Sequence, residues 1–96
     1  MKCYMLTWQR SPEATQTQLI TVLDSMRQIR NWRAAAGAIF LVTDLDAAGL
    51  ERLIHNKFPN LTFMLCPITN RGSEGWVDQG TWEFISNPQP ASYEQG

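Results

Sequence analysis

The stretch NWRAAAGAIFLVTDLDAAGLERLI, residues 31–54, decides how this chain folds. In its first half three consecutive alanines favour a helix, whereas the β-branched and aromatic residues that follow Gly37 favour a strand. The pattern therefore predicts a strand over residues 36–43. Residues 31–42 are also long enough to hold a β-hairpin, and hydrophobic periodicity does not choose between one strand and two.

The second half of the same stretch predicts a helix. Asp44 and Asp46 are both suitable N-caps, because a carboxylate accepts hydrogen bonds from the unpaired N–H groups of a first helical turn. Pro59 marks the end of this helix. The apolar residues recur at the spacing of one helix face: Leu50, Leu53, Ile54 and Phe58.

Before this stretch the sequence predicts a strand over residues 2–8 and a helix over residues 12–28. The strand is apolar on both faces, which is typical of a central strand. The start of the helix is indicated by Ser11 as N-cap and Pro12 at the first helical position. Alternation along the strand places Cys3, Met5 and Thr7 on one face and Tyr4, Leu6 and Trp8 on the other.

After this stretch, residues 61–68 are again apolar on both faces and predict a second central strand, in which Pro67 weakens the pairing. Residues 69–75 contain two glycines and predict a turn. The Trp-Val pair that follows is compatible with a short fourth strand, and residues 81–86 fit either a strand or a helix. Residues 88–96 include two prolines and few core residues, so they predict a flexible tail.

Composition limits the classes of function. The 96 residues suit a single domain, over residues 1–87, and the net charge of −1 gives no overall attraction to nucleic acid. The N-terminus lacks the apolar core of a secretory signal, and no apolar run approaches the roughly 20 residues that span a bilayer. Cys3 and Cys66 stand in apolar runs, as buried thiols do. We therefore expect a cytoplasmic protein that contacts no membrane and has no disulfide framework.

Two segments resemble small proteins of the SinR-like family, which is distinct from the biofilm repressor of that name. Residues 31–54 are similar to a pattern in which an aromatic-rich linker leads into a strand that ends in Ser-Asp-Leu or Thr-Asp-Leu. A capped helix with Leu/Ile spacing follows. The segment GWVDQGTWEFI, residues 75–85, resembles that family's aromatic-rich ending, where a short terminal helix begins. The resemblance covers residues 19–87.

The SinR-like proteins are related in fold to the small CRISPR adaptation endonucleases and to the VapD toxins. The resemblance therefore implies an α+β fold, a ferredoxin-like two-layer sandwich of βαββαβ type with a short C-terminal helix. It places the second strand at about residues 32–36 and the third at residues 38–43, or keeps one bent strand. It also favours a helix over residues 81–86. Because these relatives pair through their sheets, a homodimer is expected.

The resemblance does not extend to the metal site of the nucleases. There an Asp at the end of the first strand, one from each subunit, is the proposed metal ligand. The matching residues here are Thr7, Trp8, Gln9 and Arg10, and an arginine repels a cation at close range. The single histidine, His55, has no partners at ligand spacing. We therefore expect no catalytic residues, no metal and no cofactor.

The segment RQIRNWR, residues 27–33, is the candidate for nucleic-acid binding. It contains Arg27, Arg30, Trp32 and Arg33. Arginines bind phosphates and a tryptophan stacks on bases, so the segment has the parts of such a site. At the end of a helix Arg27 and Arg30 would share one face. The simpler explanation is that cations at that position interact favourably with the helix dipole.

Tryptophans suggest a second candidate surface. Four of them in 96 residues are many, and tryptophan is enriched at interfaces because it buries a large area. Core packing is the simpler explanation. The possible interface or pocket comprises Trp8, Arg10, Trp76 and Trp82.

The sequence thus predicts a non-catalytic, dimeric binding module of the SinR-like and CRISPR-adaptation-like class, whose partner is nucleic acid or a protein. Two alternatives stay open. The first is a VapD-like metal-dependent ribonuclease whose catalytic residues the pattern does not reveal. The second is a small phage-type inhibitor or nucleotide-binding sponge.

Overall fold

The computed structural model describes residues 1–91, which form a small α+β domain with a four-stranded antiparallel sheet and three helices. Along the chain the elements are β1 (Lys2–Trp8), α1 (Gln16–Ser25), β2 (Asn31–Ala35), β3 (Ala38–Thr43), α2 (Ala47–Lys57), β4 (Phe63–Pro67) and α3 (Gln79–Ser86). Residues 92–96, the end of the predicted tail, lie outside the described residues.

The sheet has the strand order β2-β3-β1-β4, and each neighbouring pair is antiparallel. β1 and β3 are therefore the central strands, and β2 and β4 are the edges. The predicted central position of β1 is confirmed. The coarser prediction of an α+β domain is confirmed with it, and the arrangement is compatible with a two-layer sandwich.

Residues 31–43 form a β-hairpin, so the hairpin alternative is confirmed and a single strand that begins at Ala36 is wrong. Ala35 pairs with Ala38, and the two residues between them have positive φ angles, 52° at Ala36 and 74° at Gly37. A two-residue turn of this kind matches the right-handed twist of the strands that it joins. Gly37 adopts this conformation without steric cost, whereas the Cβ of Ala36 opposes it.

The first face of the sheet carries the main core. The β1 residues that alternation places on one face are buried there: Tyr4, Leu6 and Trp8. They belong to one cluster with the buried residues of two helices, Leu19 and Leu23 of α1 and Leu50 and Ile54 of α2. Burying one such side chain contributes roughly 1.5–3 kcal/mol. Helices α1 and α2 therefore cover this face.

Helix α2 forms where the sequence predicts it. Asp46 is the N-cap, and its carboxylate accepts a hydrogen bond from the N–H of Gly49 at 2.8 Å. The last helical residue is Lys57, followed by Phe58 as C-cap and then by Pro59. Both the cap and the terminating proline are visible in the local sequence, which explains why the prediction is correct.

Helix α1 begins later than the sequence predicts. Its N-cap is Thr15 and not Ser11. Thr15 and Gln18 form a capping box, in which the Thr15 hydroxyl accepts from the Gln18 N–H at 3.3 Å and the Gln18 amide oxygen accepts from the Thr15 N–H at 2.9 Å. Ser11 instead begins a tight turn, in which its carbonyl accepts from the N–H of Ala14 at 3.0 Å. The helix also ends earlier than predicted, at Ser25.

β4 is an edge strand, whereas its apolar sequence predicts a central one. Phe63 and Leu65 pack against the main core. Met64 and Cys66 lie on the opposite face and are exposed. The apolar residues on the second face of β4 are therefore exposed. The sequence pattern of such a strand is the same as that of a strand buried on both faces.

The second face of the sheet is covered in part by α3. Its residue Ile85 is buried in a cluster with Cys3 and Phe40. The helical alternative for residues 81–86 is thus confirmed, and the Trp-Val pair before it, which the structure describes, lies outside every strand.

The described part of the predicted tail, residues 88–91, lies against the start of β2. The Ala91 N–H donates to the Arg30 carbonyl at 2.9 Å, and the Asn31 side-chain amide donates to the Gln89 carbonyl at 3.2 Å. These contacts cover the beginning of one sheet edge. That residues 88–96 are flexible stays a prediction.

The substitution Thr15→Ala tests where α1 begins. We expect the loss of the capping box to lower the free energy of unfolding by about 1 kcal/mol, measured by urea denaturation. Ser11→Ala is the matched control, and we expect a change below ~0.5 kcal/mol, because Ser11 contributes its backbone carbonyl to the turn. A larger effect of Ser11→Ala than of Thr15→Ala would contradict this helix start.

Candidate binding surface

The arginines of the basic segment do not share a helix face. Because α1 ends at Ser25, Arg27 and Arg30 both lie beyond it, so the prediction that they occupy its last turn is wrong. Arg27 is exposed. Arg30 forms an ion pair with Asp44, with a distance of 3.1 Å between Nη1 and the carboxylate oxygen.

Trp32 and Arg33 follow each other in β2, so their side chains point to opposite faces of the sheet. Trp32 is half-buried against the main core, and its Nε1–H donates to the Asp24 carboxylate at 2.8 Å. Arg33 lies on the second face and contacts α3. The structure therefore does not bring the four members of the basic segment into one patch.

Arg33 anchors α3 to the sheet. Its guanidinium donates to Thr81 Oγ1 at 2.7 Å and to Asp78 Oδ2 at 2.6 Å. The buried Thr81 hydroxyl donates in turn to Asp78 Oδ1 at 2.6 Å. Asp78 is also the N-cap of α3. Gly80 leaves room for this contact, since a Cβ at that position would stand 2.8 Å from Arg33 Nη2.

The Arg33–Asp78–Thr81 cluster was not predicted from the sequence. The local signal was present, because Asp is among the most favoured N-cap residues. Arg33 lies 45 residues before Asp78, however, and only the fold brings them together. The Thr81 hydroxyl, together with Arg33, lowers the pKa of the Asp78 carboxyl from 3.8 to about 2.

The pH dependence of stability tests this cluster. The folded-state pKa of Asp78 lies below its unfolded value, so the carboxylate stabilises the fold above about pH 4, and this contribution is lost as the pH falls towards about 2. We therefore expect the unmodified chain to lose more stability than Asp78→Asn across this interval. Urea denaturation at a series of pH values measures it.

The matched control is Glu83→Gln, which removes an exposed acid of the same helix that contacts the side chain of Gln79. We expect this variant to keep the pH dependence of the unmodified chain. Parallel stability curves for the unmodified chain and Asp78→Asn would contradict the role given to Asp78.

Trp8 and Arg10, two members of the predicted interface, close the end of β1 against the hairpin turn. Trp8 is buried, and its Nε1–H donates to the Ala14 carbonyl at 2.9 Å. The Arg10 guanidinium lies 4.2 Å from the centroid of the Trp8 ring and donates to the Gly37 carbonyl at 2.5 Å. An exposed cation–π contact of this kind contributes roughly 0.5–1 kcal/mol. Both side chains of the predicted interface are thus held by contacts within the domain.

The other two tryptophans of the predicted interface differ in exposure. Trp82 is half-buried and packs against the cluster of Cys3 and Phe40 on the second face. Trp76 is fully exposed, in the segment between β4 and α3. Trp76 is therefore accessible to a partner over its whole ring.

Helix α3 covers Cys3 at one end of β1 but leaves part of the second face open where β1 pairs with β4. This open surface comprises Met5, Thr7, Met64 and Cys66, which pair across the two strands as Thr7 with Met64 and Met5 with Cys66. Met64 is 70% exposed, and Met5 is half-buried beside the α3 cluster. An unpaired edge strand that also exposes a large apolar side chain is a template for pairing with another chain.

A groove runs beside the same edge on the first face, between α2 and β4. Its volume is about 570 Å³. We call it the edge groove; it is lined by Ala47, Ala48, Glu51, His55 and residues 61–65. His55 is exposed on the α2 wall of this groove.

The two cysteines differ in accessibility. Burial raises the pKa of the Cys3 thiol to about 11, so it stays protonated at neutral pH, and only a thiolate is an effective nucleophile. Cys66 is exposed, which contradicts the expectation of a buried strand thiol, because β4 is an edge. Within residues 1–91 no group of three or more His, Cys, Asp or Glu side chains is placed to hold a metal ion.

No family model matches the sequence, and no curated protein or solved structure is significantly similar to it. The relation to SinR-like and VapD-like proteins therefore stays a proposal that rests on the residues quoted above. Among residues 1–91 no helix is long and apolar enough to cross a membrane.

Proposed function

We propose that this chain is a non-catalytic, dimeric binding module with a ferredoxin-like fold, and that its partner is a protein. The observation that carries this proposal is the exposed apolar surface of an otherwise well-packed domain. Met64 is 70% exposed on the edge strand, and Trp76 is fully exposed. Large apolar side chains of this kind are the usual anchors of protein interfaces.

The element order and the sheet order support the ferredoxin-like class. Up to the end of β4 the elements run β-α-β-β-α-β, and the sheet order is β2-β3-β1-β4. A ferredoxin-like domain is built from two interleaved β-α-β units of this kind. The relation to SinR-like, VapD-like and CRISPR-adaptation proteins is part of the proposal, and so is a cytoplasmic location.

The charges favour a protein partner over nucleic acid. Binding to nucleic acid requires cations that replace the counterions of the phosphates. Arg30 is paired with Asp44, and Arg33 with Asp78. A phosphate would therefore compete with a carboxylate at each of these two arginines. The net charge of −1 adds no attraction at longer range.

The proposal that the module is non-catalytic is supported by the structural roles of the side chains that could act as acids, bases or nucleophiles. Asp46 and Asp78 cap helices, and Asp44 pairs with Arg30. The thiol of Cys3 is buried with a raised pKa. Each of these groups therefore has a structural role that explains its position.

Titration with nucleic acid tests the nature of the partner. We expect binding to labelled single-stranded RNA and duplex DNA to be weak, with little change between about 50 and about 200 mM salt, measured by fluorescence anisotropy. The variant Arg30→Ala should behave like the unmodified chain. Affinity that falls steeply with salt, with a smaller slope in Arg30→Ala, would favour a nucleic-acid partner instead.

The substitution Trp76→Ala tests the protein-binding surface. Because an exposed tryptophan commonly anchors an interface, we expect a protein captured by the immobilised chain from an extract of its source cells to be retained at least about tenfold less by this variant. Glu74→Ala, an exposed change in the same segment, is the matched control and should retain it. Equal retention by all three chains would contradict the role of Trp76.

A further inference from the structure

The hydrogen bonds at the two ends of the β1–β4 ladder define which backbone groups of β4 point outward. The Gln9 N–H donates to the Thr62 carbonyl at 2.9 Å, and the Ile68 N–H donates to the Cys3 carbonyl at 3.0 Å. In an antiparallel ladder, hydrogen-bonded and non-hydrogen-bonded pairs alternate. The backbone groups of every second residue between Thr62 and Ile68 therefore face β1, and those of the residues between them face away.

Phe63 and Leu65 are among the residues whose backbone groups face away from β1. Each offers one N–H and one C=O to a further strand. Pro67 also faces outward but has no N–H, which is a position where an edge strand tolerates a proline. In the described part of the chain no strand pairs with this side of β4.

The outward groups of β4 are complementary to themselves under a two-fold rotation. We propose that a second copy of this chain pairs antiparallel with β4, with Met64 on the two-fold axis, so that the two sheets form one. Phe63 then lies opposite the partner's Leu65, and the two residues exchange both backbone hydrogen bonds. The outward N–H and C=O groups of Phe63 and Leu65 are all satisfied. This inference rests on the proposed function, because it assigns the surface of the dimer proposed above.

The side chains also fit a second copy. On the first face, Phe63 and Leu65 of each copy keep their contacts with their own core and lie beside the partner's Leu65 and Phe63, next to the edge groove that Ala47 and Ala48 line. On the second face the two Met64 side chains pack against each other across the axis. A net charge of −1 on each copy opposes this association only weakly.

Pro67 disfavours the register centred on Leu65. A two-fold axis through Leu65 would place Phe63 opposite the partner's Pro67, which has no N–H to donate. The Phe63 carbonyl would then lose its hydrogen bond on entering the interface. The register centred on Met64 avoids this loss, and it leaves Pro67 outside the central pairs.

A disulfide cross-link tests the register. Opposite residues of a non-hydrogen-bonded antiparallel pair have Cα atoms about 4.5 Å apart, which is within the range of a disulfide. We expect the full chain carrying Met64→Cys and Cys66→Ser to become a covalent dimer with oxidised glutathione. The two thiols lose two protons and two electrons to form the S–S bond, and the glutathione disulfide is reduced. A non-reducing gel measures the product.

The matched control is Thr7→Cys with Cys66→Ser. Thr7 is exposed on the same face, but it lies one strand further from the axis, so its counterpart in the second copy is roughly 14 Å away. We expect no covalent dimer from this variant. Circular dichroism checks that both variants fold, which we expect because both positions are exposed.

Charge at the axis provides an independent test without a cross-link. Met64→Lys brings two ammonium groups together, and we expect the dissociation constant of the dimer to rise at least about tenfold, measured by analytical ultracentrifugation. Thr7→Lys adds the same charge at the greater distance and should leave the dissociation constant within about twofold. Equal effects of the two substitutions would overturn the pairing through β4.

The outcomes separate this inference from the proposed function. If light scattering finds the unmodified chain dimeric but Met64→Cys with Cys66→Ser does not cross-link, the β4 pairing is overturned and the dimer stands. A cross-link of Met64→Cys that requires Cys66 to be retained would identify the register centred on Leu65 and overturn the one centred on Met64. A mass of 10.9 kDa at all concentrations would overturn both the pairing and the proposed dimer.

Discussion

The fold depends on the position of β1 between two antiparallel neighbours. Its backbone is paired on both sides, by β3 and by β4, and its alternating side chains supply both faces of the sheet. Leu6 is fully buried under α1 and α2, and Cys3 is buried on the face that α3 covers. A single strand thus determines which surface each helix occupies and where the sheet remains open.

Local patterns in the sequence predict the parts of the fold that local interactions stabilise. β1 was predicted as a central strand from its apolar residues on both faces, and α2 from its apolar stripe, the aspartate caps and the proline after it. The start of α1 was wrong because two helix-start signals compete, and the capping box of Thr15 with Gln18 prevails over Ser11. The prediction that β4 is central was wrong. An edge strand with one uncovered face can carry apolar residues on both faces, as a buried central strand does.

The candidate site was less predictable than the fold, since closeness in sequence is not closeness in space. Trp32 and Arg33 are adjacent along the chain but lie on opposite faces of a strand. Trp32 donates to Asp24, eight residues earlier, and Arg33 to Asp78, 45 residues later. The Arg33 cluster forms only once α3 has packed on the sheet. Met64 is exposed because β4 lies at the edge of the sheet, and hydrophobic periodicity does not predict the order of the strands.

The short segment of residues 88–91 limits how far such a sheet can be extended by further strands. It lies against the start of β2, through the hydrogen bond from Ala91 to Arg30, so the two edges of the sheet are not equivalent. A strand added at β4 under two-fold symmetry leaves β2 at both outer ends of the enlarged sheet. Because the tail segment already occupies the start of that edge, less of β2 is open to a further strand, and this disfavours the open-ended stacking that leads to fibrils.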